Sequence, residues 1–445
     1  MGGLHLAVFG LAPFALLFWA AWKRPAWVPA FLMLGVSADI LVSAGGFHVY
    51  DNEWALAGAF AGAFVSPGRD RLWASVPPWM KWSFLPLALV IALHALWPGP
   101  LGASAKDLLR ASELWLGMAF LFALDEGQAE GTLKAFLAAT AAFSAYGVAQ
   151  TLAGPGSWIN QGRQWEVFYG HIQAANSVFQ HHNQFSAFLT AALPGCAAAL
   201  GFKRLRAWAL AALGLGLAGL ACTFSRGSWV GLVAGLALFS WALPRRWRLG
   251  LLLCVAAGLA LAYGLGDRAV KSRLFSILKV EDQTDRITLT RLGFKIWEGK
   301  WLWGRGAGVV HRELPGLVDD TVQSVRLRTM FSSHLHDFWL QESVELGLVG
   351  LLAWLAFFLA PWTLGWRRLW AGRGSPDPRL WWCLALCVAL TSFGVQSLTD
   401  LLLLHDRGLG LGLWWALEAR LAELGGPARP ASSGAEGDQG TPQNL

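Results

Sequence analysis

The sequence LHLAVFGLAPFALLFWAAW, residues Leu4–Trp22, contains no Asp, Glu, Lys or Arg. A second run, Leu249–Gly266 (LGLLLCVAAGLALAYGLG), shares this property. Apolar runs of roughly 18 or more residues are long enough to cross a bilayer as helices. They predict an all-α fold, a polytopic integral membrane helical bundle. Leu4–Trp22 is long and lacks a positive flank, so we expect a retained span rather than a cleaved signal peptide.

The composition of the whole chain agrees with a membrane protein. Of the 445 residues, 55% are hydrophobic and 14% are charged, and the mean hydropathy is +0.44. A soluble domain carries about 25% charged residues. These values exclude a soluble enzyme, a disordered chain and a disulfide-rich secreted domain. They also argue against nucleic-acid binding, because in a membrane protein a net charge of +7 reflects the basic inner loops.

The apolar runs give about 12 transmembrane helices. The candidate spans are 4–22, 27–44, 52–66, 82–97, 110–124, 132–152, 184–201, 207–223, 228–243, 249–266, 337–364 and 379–402. A weaker thirteenth stretch covers 408–423, and its amphipathic second half, Glu418–Leu424, is expected at the membrane interface.

Four regions follow from these spans. Residues 1–266 are predicted to form an N-terminal membrane bundle of about ten spans, and residues 337–424 the C-terminal spans. Between them, residues 267–336 form one long periplasmic or outer loop that contains an amphipathic helix. Residues 425–445 are rich in Gly, Pro, Ala, Ser and Gln, and they are expected to be a disordered tail.

Basic clusters in the short loops predict the topology. The clusters are Lys23 and Arg24; Arg69, Arg71 and Lys81; Lys203, Arg204 and Arg206; Arg245, Arg246 and Arg248; and Arg367, Arg368 and Arg373. Positively charged short loops stay in the cytoplasm, and the spans place all five clusters on one side. The opposite side then receives the connections 153–183 and 267–336 and the turn at Arg226.

The long connection 267–336 contains recognisable pieces. Arg286–Lys300 has apolar residues at helical spacing and is predicted to be an amphipathic helix near the membrane face. Trp301–Gly308 (WLWGRGAG) is predicted to be a turn whose exposed backbone N–H groups could face an anion. His336–Gly350 is expected to return to the membrane as a helix.

Three arginines are candidate ligands for an anion. Arg226, Arg286 and Arg291 all belong to the predicted outer side. A guanidinium group binds phosphate oxygens in pairs and keeps its charge. Alone, Arg226 could equally snorkel to the interface, and Arg286 and Arg291 could form a solvated helix face.

Histidines stand where the outer connection meets the membrane. His336 is placed to move a proton near neutral pH, and His334 lies beside it. A metal site built from this pair with His181 and His182 is the rival interpretation, but no further ligands stand at a recognisable spacing. Candidates for contacts with a glycan or an acceptor are His182, Asn183, His334, Asp337 and Glu345.

Several short motifs together resemble a known family. They are Phe179–Ser186 (FQHHNQFS), Ser225–Gly227 (SRG), Arg286 with its helix and Gly304-x-Gly306-x-Gly308, and His336-Asp337-x-Trp339-Leu340 followed by Glu345-x-Gly347-x-x-Gly350. In this order the sequence resembles the bacterial O-antigen ligase and O-antigen polymerase family of polytopic membrane glycosyltransferases. The chain departs from that pattern at Asp337, where the family often has Asn, and at Trp301, where Pro often stands near the Gly-rich turn.

The resemblance implies a function and a location. The donor would be a glycan on undecaprenyl diphosphate, and the acceptor a lipid A core or a second lipid-linked glycan, with membrane lipids around them. No cofactor, metal or nucleotide sugar would be needed, and no nucleic acid is a partner. The protein would lie in the bacterial inner membrane with its active site facing the periplasm.

The resemblance also implies roles for individual residues. Arg226 and Arg286 would bind the diphosphate, with Arg291 as an alternative, and His336 would act as the base. A polymerase of lipid-linked repeats, a membrane solute transporter and a scaffold for other glycan enzymes remain alternatives. A transporter would normally carry ionisable groups near mid-membrane, and here the charges inside predicted spans are few, with Asp39 and Asp400 among them.

Overall fold

The computed structural model describes residues 7–35, 41–44, 47–96, 101–160, 168–169, 172–243, 248–249, 271, 284–321, 334–373, 375, 377–400, 402 and 408–424. These residues form an all-α structure with two short antiparallel hairpins, so the predicted fold class is confirmed at this level.

The helices follow the predicted spans closely in position. They are α1 (Ala12–Lys23), α2 (Val28–Gly35), α3 (Asp51–Val65), α4 (Arg69–Ser75), α5 (Pro78–Leu96), α6 (Leu101–Phe122), α7 (Glu126–Ala153), α8 (His182–Ala199), α9 (Arg206–Cys222), α10 (Arg226–Phe239), α11 (Thr284–Trp297), α12 (Val309–Thr321), α13 (Phe338–Ala371), α14 (Arg379–Gln396) and α15 (Gly408–Leu424). The hairpins pair β1 (Leu41–Ala44) with β2 (Phe47–Tyr50), and β3 (Phe168–Tyr169) with β4 (Ile172–Gln173).

Within the described residues, four helices are long and apolar enough to cross a membrane. They are α5, α7, α13 and α14. Four shorter apolar helices cover Pro25–Gly35, Glu53–Val65, Ala111–Phe122 and Arg206–Cys222. The predicted span 249–266 lies almost entirely outside the described residues, as does the tail 425–445. The count of about 12 spans therefore stays a prediction.

The predicted span 27–44 is wrong in its second half. Helix α2 ends at Gly35, and Leu41–Ala44 pairs with Phe47–Tyr50 as a strand. In the sequence, the two strands are separated by Gly45 and Gly46, a typical two-residue hairpin connection that disfavours a continuous helix.

The ends of two further predicted elements differ from the structure. Helix α14 stops at Gln396, so Asp400, expected inside the span 379–402, lies in the turn beyond it. Helix α15 is not an interfacial helix in its second half, because Glu418, Leu421 and Ala422 are buried. Its neighbours α6, α8 and α14 cover this face, so packing inside the bundle decides its position.

Helix α14 lies at the centre of the bundle. It packs on α8, α10, α13 and α15, while α13 also packs on α5 and α15 also packs on α6. The contact with α10 is close, because a Cβ atom on Gly231 would lie 2.5 Å from the Ser392 carbonyl oxygen. This packing brings the beginning of α10 against the end of α14.

Candidate functional site

Four helix ends meet on one side of the bundle. The first residues of α8, α10 and α13 lie beside the turn that follows α14. Phe338 N donates to the Ser397 carbonyl at 2.9 Å, which fixes the start of α13 to this turn. A Cβ atom on Gly227 would collide with Oγ1 of Thr399, so the start of α10 approaches the same turn. The ends of the connections 153–183 and 267–336 and the turn at Arg226, which the sequence predicts on one side of the membrane, therefore lie close together.

Asp400 occupies the centre of this meeting point. Its Oδ1 atom lies 3.7 Å from Nδ1 of His336, and its Oδ2 atom accepts a hydrogen bond from the amide nitrogen of Asn183. The side chain of His336 is 23% exposed and that of Asp400 is 13% exposed. The imidazole therefore remains accessible while the carboxylate beneath it is largely covered.

The groups around Asp400 favour the ionised form of its carboxyl. Burial raises the pKa of this carboxyl, but the hydrogen bond and charge of His336 and the charges of Arg286 and His181 outweigh burial. The net result is a pKa well below the usual value for Asp. Residues near the start of α8, in α11 and just before α13 thus act on one carboxylate.

Strained backbone marks the same region. Among the described residues, the non-glycine residues with a left-handed backbone are Ser177, Phe224 and His336, each at φ 53°. Such conformations cost of order 1–3 kcal/mol and concentrate at functional sites. His336 belongs to the charge cluster itself, Phe224 precedes Arg226 by two residues, and Ser177 precedes His181 by four.

Arg226 is the first residue of α10, with a half-buried side chain. The N-terminus of a helix carries partial positive charge and free N–H groups, which favour a bound anion. The packing of its neighbour Gly227 on Thr399 brings Arg226 to the edge of the Asp400 cluster. Arg226 and His336 therefore lie at the same end of the bundle, next to the turn that contains Thr399 and Asp400.

Buried hydroxyl and amide groups connect α10 to α8 and α14. Ser225 and Ser228 share a hydrogen bond of 3.0 Å, and Ser228 donates to Ser186 Oγ at 2.5 Å. Gln396 Nε2 lies 3.4 Å from Ser186 Oγ and donates to the Asn183 carbonyl at 3.3 Å. This chain of contacts holds the beginning of α10 at a fixed distance from Asn183, which binds Asp400.

Helix α11 confirms the predicted amphipathic helix in 286–300. Its buried face packs on α12 and α13, and its first turn carries Arg286 toward Asp400. Arg291, the alternative diphosphate ligand, is exposed on the same helix. Of the two arginines, the charge of Arg286 acts on Asp400.

The Gly-rich turn has a different role from the predicted one. Helix α13 breaks at Gly347, where φ is 72° and ψ is −173°. The N–H groups of Arg305 and Gly306 donate to the carbonyls of Val344 and Glu345 at 3.0 and 2.9 Å, and Leu348 N donates to the Trp301 carbonyl at 2.9 Å. The N–H groups of the turn therefore bond to carbonyl groups at the break in α13, so they do not face an anion.

The remaining predicted contact residues fall in three places. Asn183 and His182 begin α8, with the His181 and His182 rings 4.1 Å apart. The His334 ring lies 6.2 Å from that of His311. Glu345 Oε2 accepts from Gly308 N at 2.9 Å, so this carboxylate holds the Gly-rich turn.

Asp337 caps helix α13. Its Oδ1 atom accepts from Leu340 N at 3.0 Å. Burial raises the pKa of the Asp337 carboxyl, and hydrogen bonds from Leu340 and Trp339 oppose part of that effect. The residue that departs from the family pattern thus has a structural partner in its own helix.

Sequence reasoning missed the roles of Asp400 and His181. Asp400 was visible as a charge in an apolar stretch, which is costly unless it is paired or functional. Its partners come from distant parts of the chain, so the sequence did not connect them. Within the described ranges, no group of three or more His, Cys, Asp and Glu could hold a metal ion.

Residues 209–355 match the family model described as O-Antigen ligase. The matched segment includes Arg226, Arg286 and His336 and ends before Asp400. The match supports the O-antigen ligase family, as the resemblance predicted, and together with the apolar helices it supports a membrane transferase of lipopolysaccharide or polysaccharide synthesis. A search of curated proteins finds no match.

Proposed function

We propose that this protein transfers a glycan from an undecaprenyl diphosphate carrier to a hydroxyl group of an acceptor sugar, the lipid A core. The observation that carries the proposal is the cluster in which Asp400 faces His336 at 3.7 Å and is acted on by the charge of Arg286. The match of 209–355 to the O-antigen ligase family supplies the reaction class.

The Asp400 carboxylate gives His336 a defined orientation. Because Nδ1 of the imidazole faces Asp400, the proton of the neutral ring is favoured on Nδ1. The Nε2 atom is then left as the proton acceptor. His336 is thus the proposed catalytic base, and Asp400 is a positioning residue.

The proposed reaction is a single displacement. Nε2 of His336 takes the proton of the acceptor hydroxyl, whose oxygen bonds to the anomeric carbon of the glycan. The bond from that carbon to the diphosphate oxygen breaks, and the configuration inverts, because no carboxylate nucleophile is used. Arg286 and Arg226 stabilise the charge that develops on the departing diphosphate, an effect that is worth several kcal/mol in a site with little water.

The location of the site supports this chemistry. The carrier diphosphate lies at the headgroup level of a bilayer, and the cluster lies at the ends of helices, two of which (α13 and α14) are long and apolar enough to span it. We propose that this is the periplasmic side of the bacterial inner membrane. This placement agrees with basic short loops on the opposite side.

The proposal is tested with purified protein in vesicles, a labelled undecaprenyl diphosphate glycan and separate acceptors. Label on a lipid A core indicates a ligase, and label on a second lipid-linked repeat indicates a polymerase, the alternative within the same reaction class. If neither acceptor gains label while the vesicles take up a solute, the protein is a transporter and the proposal is wrong.

Variants test the assigned residues. We expect His336→Ala, Arg286→Ala and Arg226→Ala to lose transfer while the proteins still insert into membranes. Arg312→Ala is the matched control, because Arg312 is exposed on α12. Loss with Arg291→Ala but not with Arg286→Ala would move the diphosphate role to Arg291.

A further inference from the structure

Helix α11 and the turn after it have a second apolar face that is exposed among the described residues. The side chains of Phe294, Trp301 and Leu302 are 54%, 58% and 51% exposed. On the opposite side of the helix, Leu289 and Ile296 are buried against α12 and α13. One face of α11 therefore completes the protein core, while the other presents large apolar groups outward.

The exposed face forms an aromatic groove with charged edges. The lining residues are Phe294, Lys295, Trp297, Glu298, Gly299 and Trp301, and the groove volume is about 500 Å³. The rings of Phe294 and Trp297 lie 6.0 Å apart, and Trp297 Nε1 donates to the Trp301 carbonyl at 3.0 Å. Lys295 and Lys300 are exposed beside these rings, and Glu298 is the acidic residue among the lining groups.

The groove lies level with the end of an apolar helix. His94, near the end of α5, has its Nε2 atom 2.6 Å from the Trp303 carbonyl, and its ring stacks on Trp303 at 5.0 Å. The neighbouring α5 residues Leu93 and Leu96 are 39% and 81% exposed, on a helix long and apolar enough to span a bilayer. The exposed residues Trp301 and Leu302 thus immediately precede the residue that contacts the end of this apolar helix.

We infer that Phe294, Trp301 and Leu302 insert into the headgroup region of the leaflet at the end of α5, with lipid phosphates against Lys295 and Lys300. Amphipathic aromatic rings prefer this depth, and cations beside an apolar face favour anionic lipids. A soluble protein partner would not explain the position beside the end of α5. This insertion does not depend on glycan transfer. It would also hold α11, and with it Arg286, at headgroup depth.

The test measures contact with lipid in the full chain. Trp301→Cys is labelled with a fluorescent dye and reconstituted into vesicles of phosphatidylglycerol and phosphatidylcholine that carry a nitroxide near the headgroup. Arg312→Cys, on the exposed side of α12, is the matched control, and unsubstituted protein treated in the same way gives the background of the native cysteines. We expect the lipid nitroxide to quench the label at 301 several-fold more than the label at 312.

A second comparison tests the charge. Lys295→Glu with Lys300→Glu, added to the Trp301→Cys protein, should reduce quenching in phosphatidylglycerol vesicles more than in pure phosphatidylcholine. Equal quenching at 301 and 312 would overturn the inference. If the label at 301 is quenched more than the label at 312, but the two lysine substitutions change this quenching in none of the lipid mixtures, the assignment of anionic headgroups is wrong. Neither readout uses glycan transfer, so failure here is distinct from failure of the proposed function.

Discussion

The imidazole of His336 and the carboxylate of Asp400 face each other across 3.7 Å, although one precedes helix α13 and the other follows helix α14. Phe338 N, bonded to the Ser397 carbonyl, holds the two chain segments in this register. The pair is therefore built by contacts between helix ends, and its consequences can be measured.

Replacing Asp400 should affect turnover more than binding. Asp400→Asn replaces the negative carboxylate that faces His336 with a neutral amide. We expect kcat to fall about 10–100-fold, the usual cost of removing a residue that orients a functional histidine, with a smaller change in KM. Steady-state transfer with the labelled donor measures both constants. An unchanged kcat would remove Asp400 from the proposed mechanism.

Removing the base should have a larger effect. We expect His336→Ala to lower kcat by about 10²–10⁴, the usual contribution of general-base catalysis, because the acceptor hydroxyl loses its proton acceptor. Donor binding, measured with the labelled lipid and no acceptor, should persist because Arg226 and Arg286 remain. Loss of donor binding instead would show that His336 holds the diphosphate.

The helix cap at Asp337 predicts a pH-dependent stability. Burial raises the folded-state pKa of this carboxyl, so its ionisation costs stability as pH rises from the ordinary carboxyl range through the raised pKa. Asp337→Asn keeps a capping side chain and should remove this pH dependence, whereas Asp337→Ala should lose about 1 kcal/mol. Thermal unfolding in detergent across pH gives the comparison. A pH profile that is identical in Asp337→Asn and the unsubstituted protein would contradict it.

The break in helix α13 should not tolerate a side chain. Gly347 has φ 72° and ψ −173°, a region essentially restricted to glycine, and a Cβ atom there would collide with the Leu302 carbonyl. We expect Gly347→Ala to cost about 1–3 kcal/mol or more and to lower the melting temperature. Gly316→Ala in helix α12 is the control, because a Cβ there meets nothing within 4 Å and alanine favours a helix. Equal melting temperatures for the two variants would contradict the assigned strain.

The sequence alone established that this is a helical membrane protein. Apolar runs of sufficient length leave few alternatives, and they located most helices near their observed positions. The motifs around Arg226, Arg286 and His336 indicated the family that the match of residues 209–355 supports, because each motif lies in a short contiguous segment. The amphipathic helix in 286–300 was readable from its own periodicity.

Local patterns failed where a contact from elsewhere in the chain decided the outcome. The Gly-rich pattern predicts a turn that is open to an anion, but the N–H groups of Arg305 and Gly306 bond to carbonyl groups at the break in α13. The apolar pattern places Asp400 inside a span, but helix α14 ends before it and leaves it beside His336 and Asn183.

The sequence by itself determined which segments are apolar enough to become helices, because burial in lipid depends on local composition. Only the tertiary structure decided that Asp400 lies among residues of α8, of α11 and of the segment before α13, because a buried carboxylate is stable only among the charges and donors that packing brings to it.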